Sequence, residues 1–154
     1  MDFTDLVAPE GIIPSLKAKS KKQALQELAV KAAAITGLEQ RDIFDTLLQR
    51  ERLGSTGLGH GIAIPHVKFK ELKKIFCLFA RLHTPIEIDR DDNEPVDLIF
   101  LLLAPEHASG DHLKALARIS RLVREPQTLE RLRSAESAEV LRSVLASSTT
   151  SHAA

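Results

Sequence analysis

Leu25, Leu28, Ala29, Ala32 and Ile35 recur at three- and four-residue intervals, as one buried stripe on a helix does. Ser20, with Gln23 three residues on, opens the stripe as a capping box, and Gly37 supplies its stop. A second helical pattern over residues 39–52 groups Ile43 and Leu47 with Phe44 and Leu48 and ends near Gly54. The period then changes. A short apolar run at 62–64 and two longer ones at 75–82 and 96–103 read as strands. The last is apolar on both sides, so both faces of its sheet should be covered. Residues 87–94, EIDRDDNE, predict an acidic, turn-rich loop between them. From about Asp111 the helical spacing returns: His112, Leu113, Leu116, Ile119, Ser120 and Val123 share a face until Glu125-Pro126 interrupts it. Shorter helices follow at 127–133 and 138–145, the latter capped by Ser137. The tail 147–154, SSTTSHAA, has nothing to bury and reads as disordered.

Two helices, a run of strands and further helices predict an α/β domain with helices on both faces of one sheet. The 154 residues suit a single domain over 1–146, and no internal repeat is visible. Lys+Arg and Asp+Glu balance at 21 each, so no global charge draws the chain to nucleic acid or a membrane surface. The longest apolar run, 98–104, falls far short of the roughly 20 residues a membrane span needs. Residues 1–11 carry neither a basic start nor an apolar leader core. The single Cys77 excludes an internal disulfide and reads as a small buried hydrophobe. A soluble cytoplasmic domain is the expectation.

One stretch does not read as packing. Residues 55–66, STGLGHGIAIPH, hold three of the seven glycines and end on Pro65-His66. The spacing is neither G-x-G-x-x-G nor a P-loop, so no nucleotide fingerprint is present. Glycines so crowded predict positive φ and close approach of another group to the backbone. Ser55 and Thr56, with Gly57 and Gly59, make the segment a candidate anion cradle. Pro65 delivers His66 on a stiff, extended chain, where an imidazole serves as base, nucleophile or ligand. Isolated loop histidines more often have structural roles, but two further residues add weight. His112 sits at a predicted helix start, where the dipole favours a neutral ring. Arg50 ends the helix that feeds the glycine-rich stretch, within reach of an anion held there. His60 and His83 complete no metal-ligand spacing with them. Lys68, Lys70, Lys73 and Lys74 form a solvated run, with docking as the alternative reading.

Glu51, then Leu58-Gly59-His-Gly-Ile62-Ala-Ile-Pro-His66, resembles the active-site signature of mannitol/fructose-class enzyme IIA of the bacterial phosphoenolpyruvate-dependent phosphotransferase system. The fuller phrase from Arg50 to His66 resembles the nitrogen-regulatory members of that class. The likeness extends through 84–86, 93–98, 103–105 and 111–113. It implies a three-layer α/β/α sandwich around a mixed sheet. It also implies phosphotransferase activity through a phosphohistidine: an HPr-like carrier gives its phosphoryl group to His66, with His112 as second active-site histidine and Arg50 near the phosphate. No cofactor or metal is implied. Phosphorylation state would then control regulated targets, potassium-transport or sensor proteins among them. A detached sugar-transporter IIA handing phosphate to a IIB domain is the alternative, and a non-phosphorylated binding module is a third. Val67 departs from the small residue usual after the Pro-His pair, so a β-branched side chain is expected to stiffen that position and narrow access to the ring.

Overall fold

The computed structural model describes residues 7–54, 56–87, 95–107 and 109–150. A 3-10 turn, Pro9–Gly11, leads into β1 (Ile12–Leu16), then α1 (Lys21–Thr36) and α2 (Gln40–Leu53). Strands β2 (Gly57–Gly59), β3 (Ile62–Ala63), β4 (His66–Phe69), β5 (Phe76–Ile86) and β6 (Val96–Pro105) follow. Helices α3 (Ser109–Leu122), α4 (Pro126–Ser134) and α5 (Ala138–Thr150) close the chain.

The helix signals act where the sequence places them. Ser20 Oγ accepts from Gln23 N at 3.2 Å, and the Gln23 side chain accepts from Lys19 N at 2.8 Å. Gly37 ends α1 in the left-handed region, its N–H returning to Ala33 O. Ser137 Oγ accepts from Val140 N at the start of α5. That helix continues to Thr150, past the expected end at residue 145 and into the segment read as a disordered tail; residues 151–154 lie outside those described. Of the acidic loop, all but Glu87 lies outside them as well.

Strand order is β1-β5-β6-β3-β2, with β4 also pairing β6. β5 and β6 are antiparallel, while β1 on β5 and both β3 and β4 on β6 are parallel, so the sheet is mixed. Side chains alternate between two cores, as period-2 geometry requires. Cys77, Phe79, Leu98, Phe100 and Leu102 pack with Ile119, Leu132 and Leu141 from α3, α4 and α5. Leu78, Ala80, Ile99, Leu101 and Leu103 pack with Leu25, Leu28, Ile43 and Leu47 from α1 and α2. The chain is therefore the three-layer α/β/α sandwich expected. Phe79 and Phe100, both fully buried, meet with ring centroids 4.9 Å apart. Burial pushes the Cys77 thiol up to about 12, which leaves it a packed hydrophobe with no thiolate to react.

Three strands were absent from the expected set: β2, the short first arm of the glycine-rich hairpin, β1 and β4. β1 occupies the sheet edge, where Pro14 does no harm to a central ladder. β4 covers the start of the lysine run: Val67 and Phe69 are buried while Lys68 is exposed, a two-residue alternation hidden by its charge. No helix of the described residues is long and apolar enough to cross a membrane.

Candidate active site

β3 and β4 lie end to end along β6, matching Ile62 to Leu98 and His66 to Leu102. The gap between them is Ile64-Pro65. Pro65 has no N–H for a ladder, but its carbonyl accepts from Leu102 N at 2.9 Å, so the chain stays on the sheet. The break frees the Ile64 carbonyl, which lies 2.8 Å from His66 Nδ1. A carbonyl only accepts, so Nδ1 carries the proton and the lone pair of the neutral ring is on Nε2. His66 is half-buried.

The Val67 expectation is corrected by this register. Val67 pairs with Leu103 and is buried in the α1–α2 core, whereas His66 pairs with Leu102, whose side chain faces α3–α5. Adjacent strand residues point to opposite faces, so Val67 is directed away from the ring and does not narrow access to it.

His112, in the first turn of α3, is brought to His66: their ring centroids are 5.5 Å apart and tilted by 44°. Its Nε2 is buried without a hydrogen-bond partner among the described residues. Burial first, then the charges of His66 and Lys68, lower its pKa from the ordinary 6.5. The lowered value favours the neutral ring, as expected, but desolvation is the leading cause. The unfolded chain protonates this group near 6.5 while the folded chain resists, so the unfolded state binds more protons below that pH. Stability should therefore fall as pH drops from about 6.5 toward the lowered folded value. His112→Gln should flatten that slope, read by urea denaturation at pH 7.5 and 5.5. An unchanged slope would place the acid sensitivity elsewhere.

The glycine-rich stretch is an edge hairpin. Gly57 pairs with Ala63 and Gly59 with Ile62, and the two-residue turn has φ 56° at His60 and 82° at Gly61. Positive φ at both central positions defines a type I′ turn. The turn is held from a distance: Arg133 on α4 makes a bidentate pair with Asp97, at 2.8 and 3.0 Å, and its Nη2 also donates to the His60 carbonyl. The close approach predicted by the glycines is this clamp, since a Cβ on Gly61 would lie 2.6 Å from Arg133 Nη2.

Behind the loop is a group that the sequence named within the motif without assigning it a role. Ile43, Leu47 and Glu51 form the buried stripe of α2, so a carboxylate continues an apolar four-residue spacing. Glu51 accepts from the Thr56 hydroxyl, and its other oxygen is 3.5 Å from Lys21 Nζ. The hydroxyl has one proton to donate, so Thr56 is oriented as a loop anchor and any contact with an anion falls to its backbone. Thr56→Val should strand the buried carboxylate and cost about 1–3 kcal/mol. A chemical-denaturation midpoint equal to wild type would refute that anchoring.

Arg50 is half-buried and donates through Nη1 to Gly54 O at 3.0 Å, which ties it to the loop rather than to either histidine. Ser55 lies outside the described residues. His60 is exposed on the hairpin turn, and His83 stands 3.4 Å from Ser15 Oγ at the β1–β5 side of the sheet. A cavity of about 880 Å³ lies between the hairpin and α3–α4, lined by Leu58, Ile62, Val123 and Leu129 among others, and neither His66 nor His112 lines it.

Residues 5–148 match the family described as phosphoenolpyruvate-dependent sugar phosphotransferase system, EIIA 2. A nitrogen regulatory protein of Bradyrhizobium diazoefficiens is 60% identical over 146 residues, covering 95% of each chain. The crystal structure of nitrogen regulatory protein IIA-Ntr from Neisseria meningitidis superposes with a TM-score of 0.86 at 35% identity, covering 92% of this chain and 97% of that one. The mannitol IIA of Escherichia coli shares the fold, with a TM-score of 0.77 at 21% identity and coverage of 91% and 99%. With its fold, its histidine pair and these likenesses, the chain belongs to the EIIA 2 family of the phosphoenolpyruvate-dependent sugar phosphotransferase system, among relatives of the nitrogen-regulatory kind.

Proposed function

We propose that this protein is a phosphohistidine carrier and regulator of the nitrogen type, accepting a phosphoryl group on His66 Nε2 from an HPr-like donor. The observation that carries this reading is the His66 Nδ1 hydrogen bond to Ile64 O, which fixes the tautomer and leaves Nε2 nucleophilic. The Nε2 lone pair forms the new P–N bond as the donor's bond to phosphorus breaks, its electron pair returning to the donor. No proton need move, because the proton stays on Nδ1, donated to Ile64 O throughout.

The remaining work is electrostatic. Charge spreads over the equatorial oxygens of the moving group, and positioned donors meet it. His112 contributes a neutral ring whose buried Nε2 has no partner among the described residues, and a phosphoryl oxygen would provide one. Arg50 and backbone N–H groups of the 54–59 loop are the other donors in this reading. Leu53, Leu58 and Leu113, 86%, 47% and 65% exposed, lie near Arg50, in the glycine-rich hairpin and beside His112 in sequence, and in this reading they take part in reversible docking of a carrier. Regulated proteins would read the presence or absence of the group on the same face.

Incubation with phosphoenolpyruvate, enzyme I and an HPr-type carrier should give an acid-labile, alkali-stable phosphate, with phosphorus–nitrogen NMR coupling to Nε2. Failure of the wild-type protein to label, or coupling to Nδ1, would overturn the reading.

A further inference from the structure

We propose that Lys68 is the cation that neutralises the phosphoryl group carried on His66, its ammonium donating to a phosphoryl oxygen after transfer. The inference rests on His66 being the acceptor. It starts from strand geometry. His66 and Lys68 match Leu102 and Ala104 on β6, and the residues that alternate with them, Val67 and Phe69, are both buried in the α1–α2 core. His66 and Lys68 therefore stand on one face of β4, separated along the strand by roughly 6.6 Å. A four-carbon stem and the phosphoryl group itself close that gap between them.

Lys21 is already paired with Glu51, and Arg133 is held by Asp97 and the His60 carbonyl, while Arg50, a donor in the proposed reading, spends one N–H on Gly54 O. Lys68 is exposed and forms no ion pair among the described residues. Its charge is nevertheless felt in the site, since it contributes to the lowered pKa of His112. A neutral His112 offers the arriving group a hydrogen bond without compensating its charge. A phosphoryl group carries nearly two negative charges at neutral pH. An ammonium on a flexible stem meets that need without trapping the group, as reversible handover demands. Lys68 neither gains nor loses a proton in the step; the bonds made and broken are those at phosphorus alone.

Equilibrium between the free carrier and this protein separates charge compensation from docking, because docking alters the rate of transfer and leaves the final partition untouched. Lys68→Gln should shift the partition toward the phosphorylated carrier by roughly fivefold, the upper range for an exposed ion pair. Lys68→Arg should hold it near wild type. The shift should shrink as salt is raised. A Lys68→Gln partition equal to wild type, whether or not transfer slows, would overturn the proposal while leaving His66 as acceptor. A wild-type protein that takes no phosphate would overturn the acceptor reading and this one with it. Both variants change an exposed side chain, so folding is preserved in each.

Discussion

His66→Ala is expected to take up no phosphate under conditions that label the wild-type protein to completion, a loss of more than roughly 10³-fold. The size follows from chemistry: in the proposed reading alanine removes the atom that forms the P–N bond, and a hydrogen-bond donor does not substitute for a nucleophile. Among the described residues, His112 is the one other imidazole within ring contact, at 5.5 Å. Its pKa is lowered by burial and by the charges of His66 and Lys68, so it too is neutral and in principle nucleophilic. The distinction lies in the support. His66 has its tautomer fixed by Ile64 O, while the His112 Nε2 is buried. Rapid-quench labelling of the two single variants decides between them. A His66→Ala protein that still labels, alongside a His112→Gln protein that does not, would exchange the two roles.

Gly61→Val should lower folding stability by roughly 2–5 kcal/mol, a large share of the 5–15 kcal/mol typical of a domain. Two costs combine. At φ 82° a β-branched residue sits in the left-handed region, and its Cβ would meet Arg133 Nη2 at 2.6 Å and Asp97 Oδ1 at 2.8 Å. Either the arginine yields, which frees the His60 carbonyl and Asp97, or the turn opens and β2 leaves the sheet. Gly54→Ala is the matched control: its φ of 162° is extended backbone, and nothing lies within 4 Å of an added Cβ. Urea midpoints of the two variants should differ by the full amount. Equal midpoints would show that the clamp is slack.

What the chain announces locally, it builds. The Ser20–Gln23 cap, the Gly37 stop and the two-faced apolar run of β6 each depend on residues a few positions apart, and each is present. The pairing of His66 with His112 was legible only through the resemblance, because 46 positions of sequence carry no periodic signal. Glu51 was named as part of a motif, but its burial depends on α2 packing against the sheet. The Arg133 clamp joins residues 36 and 73 positions apart, and no window of sequence spans it. β4 was legible in principle from His-Val-Lys-Phe, had the lysines not drawn the eye to charge rather than alternation. The helical continuation through 147–150 runs against weak Ser/Thr propensity and is set by what precedes it.

The break between β3 and β4 has a kinetic meaning. Because a main-chain carbonyl fixes the ring, the orientation of the His66 imidazole is settled when the protein folds and need not be searched for again at each meeting with a partner. In the proposed role of phosphoryl carrier, the protein has little internal rearrangement left to make, and its throughput belongs to diffusion and to how quickly two protein faces part.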